Sequence, residues 1–456
     1  MPRASASQVD IETAENGYRT PRERDFFNRR SLSPAMSHQQ SRETNTLDPF
    51  SDATNDARNQ EFGPGSLARM ISVARKETAR GGKIGLRDRI CCFQWTYFTS
   101  TMATGGVANV LYSLSKMYAA NWLWYIGVIF FLLNMILFVI NCVLITMRFA
   151  MVPGSFMHSF LDQTESLFIP AVVVSFATIL INICQYGVPH TGLWLLKTIE
   201  VFFWIYTVIS VVTSAGMYLI LWSTQIFPVH QMTPVWVFPG YPLLLTAPYA
   251  ANLISVDTAG TGEINRLPIA VAAVTLQGTG FLISFMICAA FIYRLMTQKL
   301  PRDMQRPGVF ISIGPPAFTV AGLVLLGQQT ASILPPSYAG EPHAVFILEL
   351  LSTILGLWLW GLSEWFFIVS VGSLIKYARG ARKIPFQMTW WSFVFPNTAL
   401  VTATLALAEA LDSNGLRLYA SVFTGVLVLV WTVIFTVMVK CIWKRQLLWP
   451  KDLERE

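Results

Sequence analysis

The chain has 456 residues, of which 53% are hydrophobic and only 13% are charged, about half the charged fraction of a typical soluble domain. The charges are unevenly distributed, because residues 1–93 hold 15 of the 33 Lys and Arg residues and 12 of the 26 Asp and Glu residues. The rest of the chain is too poor in charge for a water-soluble globule and indicates a polytopic membrane protein. Basic loops on the cytoplasmic side account for the net charge of +7, so no nucleic-acid partner is required.

Residues 1–90 form a polar segment that is rich in Ser, Arg, Asn, Gln and Asp and has few large apolar residues. Such a segment cannot bury enough apolar surface to offset the entropy of its chain, so we expect a disordered tail. A basic cluster just ahead of the first apolar run predicts that this tail lies in the cytoplasm. The membrane domain is predicted for residues 91–445, and a short cytoplasmic tail for residues 446–456.

Ten apolar runs are long enough to cross about 30 Å of hydrocarbon as helices. They lie at residues 95–114, 122–147, 167–187, 194–222, 235–254, 267–296, 308–332, 343–375, 389–410 and 416–443. The first run is the least apolar, because half of residues 99–106 carry a hydroxyl and most of the others are Gly or Ala, which is typical of a protein interior or a pathway. With a cytoplasmic N-terminus, the basic clusters fall in cytoplasmic loops, and the opposite loops contain only Lys116, Lys197, Arg266 and Arg417. The sequence therefore predicts an all-α polytopic membrane protein with ten transmembrane helices and both termini in the cytoplasm.

Prolines recur inside alternate apolar runs, at Pro170, Pro239, Pro315 and Pro396. These are the third, fifth, seventh and ninth runs; the even-numbered runs have no interior proline, and the first run has a Gly pair at 105–106 instead. The spacing predicts five helical hairpins, each with one bent and one straight helix. A broken membrane helix is tolerated where it is buried in protein or lines a water-filled path, so we expect five bent helices around a central pore. The alternative is that the alternation is accidental, since Pro is frequent in membrane helices.

Four separated segments carry a family resemblance. They read FTSTMATGGV at residues 98–107, PVWVFP at 234–239, RPGVF and GPPAF within 306–318, and FVFPN at 393–397. In this order they resemble the fungal malic acid transport proteins of the tellurite-resistance/dicarboxylate transporter family, which also includes the plant slow anion channels. The resemblance extends over about residues 90–445 and is closer to the malate branch than to the sulfite-efflux branch.

This resemblance implies ten helices arranged as five hairpins with quasi-fivefold symmetry, and odd-numbered helices that surround a pore. It also implies a homotrimer with one pore per subunit. In the channel branch a phenylalanine at the bend of the ninth helix blocks the pore, and an aromatic ring can do so by steric block and dewetting. By resemblance Phe395 takes this place, with Phe393 as the alternative if the register is shifted.

An anion that crosses a membrane needs stabilisation without tight binding, and the cores of the odd-numbered runs contain no Lys or Arg. We therefore expect weak donors along the path, namely hydroxyls, amides and the backbone N–H groups at helix breaks. The candidate pathway residues are Thr99, Ser100, Thr101, Thr104, Gly105, Pro170, Ser175, Thr178, Pro239, Gly314, Pro315, Asn397, Thr398 and Thr402. The alternative is that the Ser and Thr side chains only bond the backbone of their own helix.

Three acidic residues, Glu200, Glu349 and Glu364, lie within the even-numbered runs. An ionisable group at membrane depth is costly, which makes each a candidate for function. Glu364 is the deepest. We expect it either to carry a proton for symport or to form half of a structural pair.

No catalytic motif is evident in the sequence. It contains no GxxxxGK[ST] or HExxH pattern, the five His residues lie in the tail or near the ends of runs, and the six Cys residues show no metal-ligand spacing. We therefore predict no enzyme activity, cofactor or metal site. The primary hypothesis is a multi-pass plasma-membrane carrier of C4-dicarboxylates such as malate, driven by proton symport, whose partners are a small anionic substrate and the lipid bilayer. The alternatives are a sulfite or small-anion efflux pump or channel on the same scaffold and, in a different class, a membrane receptor or enzyme.

Overall fold

The structure is a computed structural model that describes residues 85–259, 263–335, 343–378 and 384–448. Residues 1–84 and 449–456 lie outside the described residues, and with them most of the predicted N-terminal and C-terminal tails. Three basic residues of a predicted cytoplasmic loop, Arg379, Arg382 and Lys383, also lie outside. The described residues form helices and connections without any strand, which confirms the prediction of an all-α fold.

The helical segments of the described chain follow the predicted apolar runs. In chain order they are α1 (Phe98–Tyr118), α2 (Asn121–Met151), α3 (Glu165–His190), α4 (Leu193–Thr224), α5 (234–259), α6 (Arg266–Gln298), α7 (Asp303–Gln328), α8 (Ala344–Gly372), α9 (Met388–Ala410) and α10 (Asn414–Trp443). Shorter helices such as Ser155–Leu161 and Thr330–Ile333 lie in the connections.

Among the described helices, eight are long and apolar enough to cross a membrane, and α1 and α5 are not among them. The reason differs between the two. Helix α1 carries the run of small and hydroxylated residues, and α5 contains four prolines, Pro234, Pro239, Pro242 and Pro248, which lower its hydropathy. The polytopic membrane fold is thus confirmed, whereas the count of ten spans stays a prediction.

Burial separates the odd-numbered helices from the even-numbered ones. Within the most apolar stretch of each helix, 78% of the residues of α3, 89% of those of α7 and 94% of those of α9 are buried. The corresponding share is 22% in α2, 28% in α4, α6 and α10, and 6% in α8. The odd-numbered helices therefore form the interior, and the even-numbered helices surround them with an apolar outer surface.

The odd-numbered helices are irregular, and three of them change their helical type along their length. In α5, α7 and α9 a 3₁₀ segment gives way to α-helix at Thr246, Gly314 and Phe395. Helix α3 has an irregular turn at Ile169 and Pro170 before its α-helical part begins, and α1 follows a single 3₁₀ turn. Proline lacks a backbone N–H and fits the first turn of a helix. It therefore begins the α-helical part of α7 and α9, at Pro315–Pro316 and Pro396, instead of bending a continuous helix.

The even-numbered helices are unbroken and contain 31, 32, 33, 29 and 30 residues for α2, α4, α6, α8 and α10. A rise of about 1.5 Å per residue makes each of them longer than about 40 Å. The inner helices thus place buried α-helical N-termini inside the protein, and straight outer helices enclose them.

Candidate functional site

A cavity of about 730 Å³ opens among the C-terminal halves of the inner helices, and we call it the vestibule. Every odd-numbered helix contributes to its wall. Lining residues include Tyr112 and Ser113 from α1, Val188 from α3, Asn252 and Ser255 from α5, Gln329 next to α7, and Thr402 and Glu409 from α9. Three charged residues, Lys116, Glu409 and Arg417, also line it.

A second cavity of only about 20 Å³ adjoins the vestibule, since Thr402 lines both, and we call it the constriction. It too is lined by all five odd-numbered helices. Its lining residues are Gly105, Gly106, Asn109, Thr178, Ile181, Leu245, Pro248, Phe318, Ala321, Phe395, Thr398 and Thr402. None of these is charged. A space of this volume holds about one water molecule and no larger solute.

Aromatic rings from three inner helices meet at the constriction. The ring of Phe395 is 3% exposed and lies 5.2 Å from the ring of Phe318 and 5.9 Å from that of Tyr241. The Tyr241 hydroxyl donates a hydrogen bond to the Ile311 carbonyl at 2.6 Å, which holds its ring in place. Phe393 is half-buried and lies elsewhere, with its ring 5.0 Å from that of Phe310. Of the two gate candidates, Phe395 is therefore the one at the constriction.

The hydroxyl cluster of α1 is engaged in hydrogen bonds within the protein. Thr99, Ser100 and Thr101 donate to backbone carbonyls three residues earlier, at 2.6–2.7 Å, and Thr101 also bonds Ser175 at 2.7 Å. Thr104 donates to the Ser100 carbonyl and accepts from the Trp431 indole of α10 at 3.1 Å. None of these residues lines either cavity, so the cluster contacts neighbouring helices.

Some of the remaining candidates line the constriction, and the others line neither cavity. Gly105, Thr178, Thr398 and Thr402 line the constriction. Five others line neither cavity: Pro170, Gly314, Pro315 and Asn397 lie at or near the breaks, and Pro239 lies inside the 3₁₀ segment of α5.

Glycine is needed where α1 touches its neighbours. A Cβ atom at Gly105 would lie 2.6 Å from the Thr178 hydroxyl oxygen, and one at Gly106 would collide with the side chain of Thr398. These two glycines allow α1 to pack against α3 and α9 at the constriction. Gly314 is restricted in the same way, because a Cβ there would collide with the Tyr241 hydroxyl.

A set of amide side chains, which the sequence reasoning did not single out, joins three inner helices between the vestibule and the constriction. Gln185 of α3 donates through Nε2 to Oδ1 of Asn109 at 2.5 Å and to Oδ1 of Asn252 at 2.8 Å. Asn109 of α1 in turn donates to the Thr402 hydroxyl at 3.1 Å. We call Asn109, Gln185 and Asn252 the amide belt. A large amide in each of three inner apolar runs is the sequence signal that could have indicated it, because such groups need partners in a membrane.

Glu364 of α8 lies between two outer helices. Both of its carboxylate oxygens accept from the Tyr419 hydroxyl of α10 at 3.0 Å, and Glu364 lines neither cavity. Glu200 pairs with Lys197 of its own helix at 3.3 Å.

Two ion pairs, one buried and one with a partly exposed arginine, lie at the ends of neighbouring inner and outer helices. Asp257 of α5 accepts from Arg266 of α6 at 2.7 Å, and Arg148 of α2 forms a two-point pair with Glu165 of α3. Neither pair lines a cavity. In the described part of the chain, no cluster of three or more His, Cys, Asp or Glu side chains could hold a metal ion.

Residues 92–439 match a protein family described as voltage-dependent anion channels. The malic acid transport protein of Schizosaccharomyces pombe is 25% identical over 368 residues, which cover 80% of this chain and 82% of that protein. A second protein of the same yeast, provisionally named a malic acid transport protein, is 26% identical over 81% of this chain and 84% of its own length. An uncharacterized transporter of Methanocaldococcus jannaschii is 23% identical over 73% of this chain and 91% of its own length.

Proposed function

Because the chain belongs to the voltage-dependent anion channel family, we propose that it carries C4-dicarboxylates such as malate across a membrane along the path formed by the vestibule and the constriction. The observation that carries this proposal is that all five odd-numbered helices line both cavities. Two relatives named for malic acid transport, which align over four-fifths of the chain, support a dicarboxylate as the substrate.

The chemistry of the lining is suited to an anion that must pass without being trapped. The constriction has no charged side chain, and its polar groups are hydroxyls and the Asn109 amide. The α-helical parts of α5, α7 and α9 begin next to it, at Thr246, Gly314 and Phe395. The positive ends of these helix dipoles favour a negative charge, and together with neutral donors they stabilise it less strongly than a buried cation would.

Phe395 is the gate in this proposal, with Phe318 as the ring against which it closes. The two rings line a cavity that holds about one water molecule, and their centroids are 5.2 Å apart. A dicarboxylate is several times larger, so transport requires the Phe395 ring to move. The described structure then corresponds to a closed path.

The proposal also includes the direction of transport, its coupling to protons and the oligomeric state of the protein. We expect uptake by proton symport at the plasma membrane, with both termini in the cytoplasm and the protein assembled as a homotrimer. Glu364 is the candidate proton carrier. Since it bonds Tyr419 between α8 and α10 and lines neither cavity, it would act by changing the packing of these helices instead of contacting the substrate.

Uptake of labelled malate into liposomes that contain the purified full chain tests this function. We expect saturable uptake that rises when the outer solution is made acidic, and that is inhibited by other C4-dicarboxylates. Uptake no higher than in protein-free liposomes would contradict the proposal. If malate uptake does not depend on the pH gradient, dicarboxylate transport would still be supported and proton symport would be excluded.

The second candidate is a channel or efflux pump for sulfite or another small inorganic anion. The family description as voltage-dependent anion channels favours it. Current or efflux carried by sulfite or chloride, without competition by malate, would support this alternative over a dicarboxylate carrier.

A further inference from the structure

The amide belt lies at the junction of the two cavities. Asn109 lines the constriction, Asn252 lines the vestibule, and Thr402 lines both. Gln185 is 2% exposed and stands behind the two asparagines, bonded to both. Any solute that passes from the vestibule to the constriction therefore passes the amide groups of Asn109 and Asn252.

The hydrogen bonds of the amide belt run outward from Gln185 in two branches, and the acceptor at the end of each branch fixes which group donates. At one end Asn252 donates to the Pro248 carbonyl at 2.8 Å, and a carbonyl can only accept. At the other end the single hydroxyl proton of Thr402 is donated to the Thr398 carbonyl at 2.9 Å, so the Thr402 oxygen must accept from Asn109.

Gln185 completes this arrangement. Since the amide nitrogens of Asn109 and Asn252 are turned toward acceptors, their oxygens must be bonded by donors, and the two N–H groups of Gln185 supply them. The Gln185 oxygen is left buried without a partner among the described residues, which costs free energy. Both donors of Gln185 are thus used to orient the two asparagines.

One consequence is a pair of unused donors. An amide NH₂ group carries two N–H bonds, and the described contacts use one on Asn109 and one on Asn252. Each asparagine therefore has one N–H available at the junction, while its oxygen is turned away toward Gln185. This polarity favours the oxygen of an oxyanion and disfavours a cation.

We propose that Asn109 and Asn252 bind a carboxylate oxygen of the passing anion, and that Gln185 is a positioning residue that keeps their N–H groups available. This inference rests on the proposed anion transport and names the binding site within the same path. A neutral donor pair holds a carboxylate less tightly than a cation does, which allows release toward the constriction. Lys116 and Arg417, by contrast, lie with Glu409 in the wide vestibule, and a wall with two cations and one carboxylate can attract anions from solution.

Two substitutions of Gln185 test its positioning role. In Gln185→Glu the carboxyl group cannot donate twice, whether it is ionised or protonated, so the asparagines turn their N–H groups toward it and present oxygens to the path. We expect the KM for malate uptake to rise by at least about tenfold, the loss of one charge-assisted hydrogen bond or more. In Gln185→Met each asparagine keeps only its bond to the Pro248 carbonyl or to the Thr402 hydroxyl oxygen. Completely free rotation would leave both amides correctly oriented about a quarter of the time, so KM should rise by up to about fourfold.

Gln277→Met is the matched control. Gln277 of α6 is also fully buried and has two hydrogen bonds to inner helices, from Ala247 at 3.3 Å and to Thr319 at 3.0 Å, but it lines neither cavity. We expect a wild-type KM for this variant. KM does not depend on the amount of folded protein, so a lower yield of any variant leaves the comparison intact.

A wild-type KM in Gln185→Met and Gln185→Glu would overturn the inference, as would an equal rise in Gln277→Met. If Gln185→Glu does not fold, the KM of Gln185→Met decides. Failure of the proposed function is a separate result, because it would appear as absence of malate uptake by the wild-type protein.

Discussion

Helices α8 and α9 are neighbours in the chain and differ in almost every respect. Helix α8 is continuous over 29 residues, and only 6% of its most apolar stretch is buried. Helix α9 changes from 3₁₀ to α at Phe395, and 94% of its most apolar stretch is buried. The mean hydropathy of the same stretch is 1.9 in α8 and 1.3 in α9. The more apolar helix, α8, is thus the one exposed on the protein surface, because its surroundings there are lipid and not protein.

The largest effect is expected when a glycine of an inner helix is replaced by a larger residue. In Gly106→Ala the added methyl group would collide with Thr398, which in turn donates to the Phe395 carbonyl at 2.6 Å. We expect a loss of about 1–3 kcal/mol in stability, since a well-packed interior must shift, together with altered transport. Thermal unfolding of the detergent-solubilised protein measures the loss of stability.

Gly278→Ala on the outer helix α6 is the matched control, because nothing lies within 4 Å of a Cβ atom there. Alanine also favours the helical state over glycine, so stability should be unchanged or slightly higher. Equal loss of stability in the two variants would remove the distinction between inner and outer helices.

Substitutions of two phenylalanines that are two residues apart test which of them is the gate. Phe395→Ala removes a ring that lines the constriction, and we expect unregulated malate flux to rise by about tenfold, the equivalent of about 1.4 kcal/mol in the barrier. Phe393→Ala removes a ring that packs against Phe310 outside both cavities and should leave the flux unchanged. Flux measured in liposomes without a pH gradient makes the comparison, and the reverse order of effects would assign the gate to Phe393.

The smallest effect is expected at Glu364, on an outer helix. Uptake without a pH gradient should stay within about twofold of the wild type in Glu364→Gln, because the residue lines neither cavity. The proposed coupling role predicts that stimulation by an acidic outer solution is lost. Stimulation equal to that of the wild type would exclude Glu364 from coupling.

Prolines predicted much of the inner architecture because their effect is local. Pro170, Pro315 and Pro396 each lie where an α-helical part begins, as the missing N–H requires. The sequence around Phe393 and Phe395 does not show which of the two rings lies at the constriction. Two residues turn a helix by about 200°, so only the packing of α9 decides which ring meets the path.

The amides of the amide belt are visible in the sequence, but their pairing was beyond prediction for a related reason. Asn109, Gln185 and Asn252 are far apart in the chain, and their hydrogen bonds depend on the relative rotation of three helices. The hydroxyls of α1 gave a stronger local signal, and in the structure they bond backbone carbonyls and neighbouring helices. Polar residues in an inner helix can thus either hold helices together or line the proposed path, and only their contacts show which role each residue has.

Cysteine labelling tests most directly whether the odd-numbered helices enclose the transport path. In a chain whose six native cysteines are replaced, Thr402→Cys places a thiol at the wall shared by both cavities, and Thr404→Cys places one against Trp360 of α8. We predict that an anionic thiol reagent modifies position 402, that malate slows this reaction, and that modification stops uptake, while position 404 does not react. Equal reactivity at both positions, or full uptake after position 402 is modified, would contradict a central path between the inner helices.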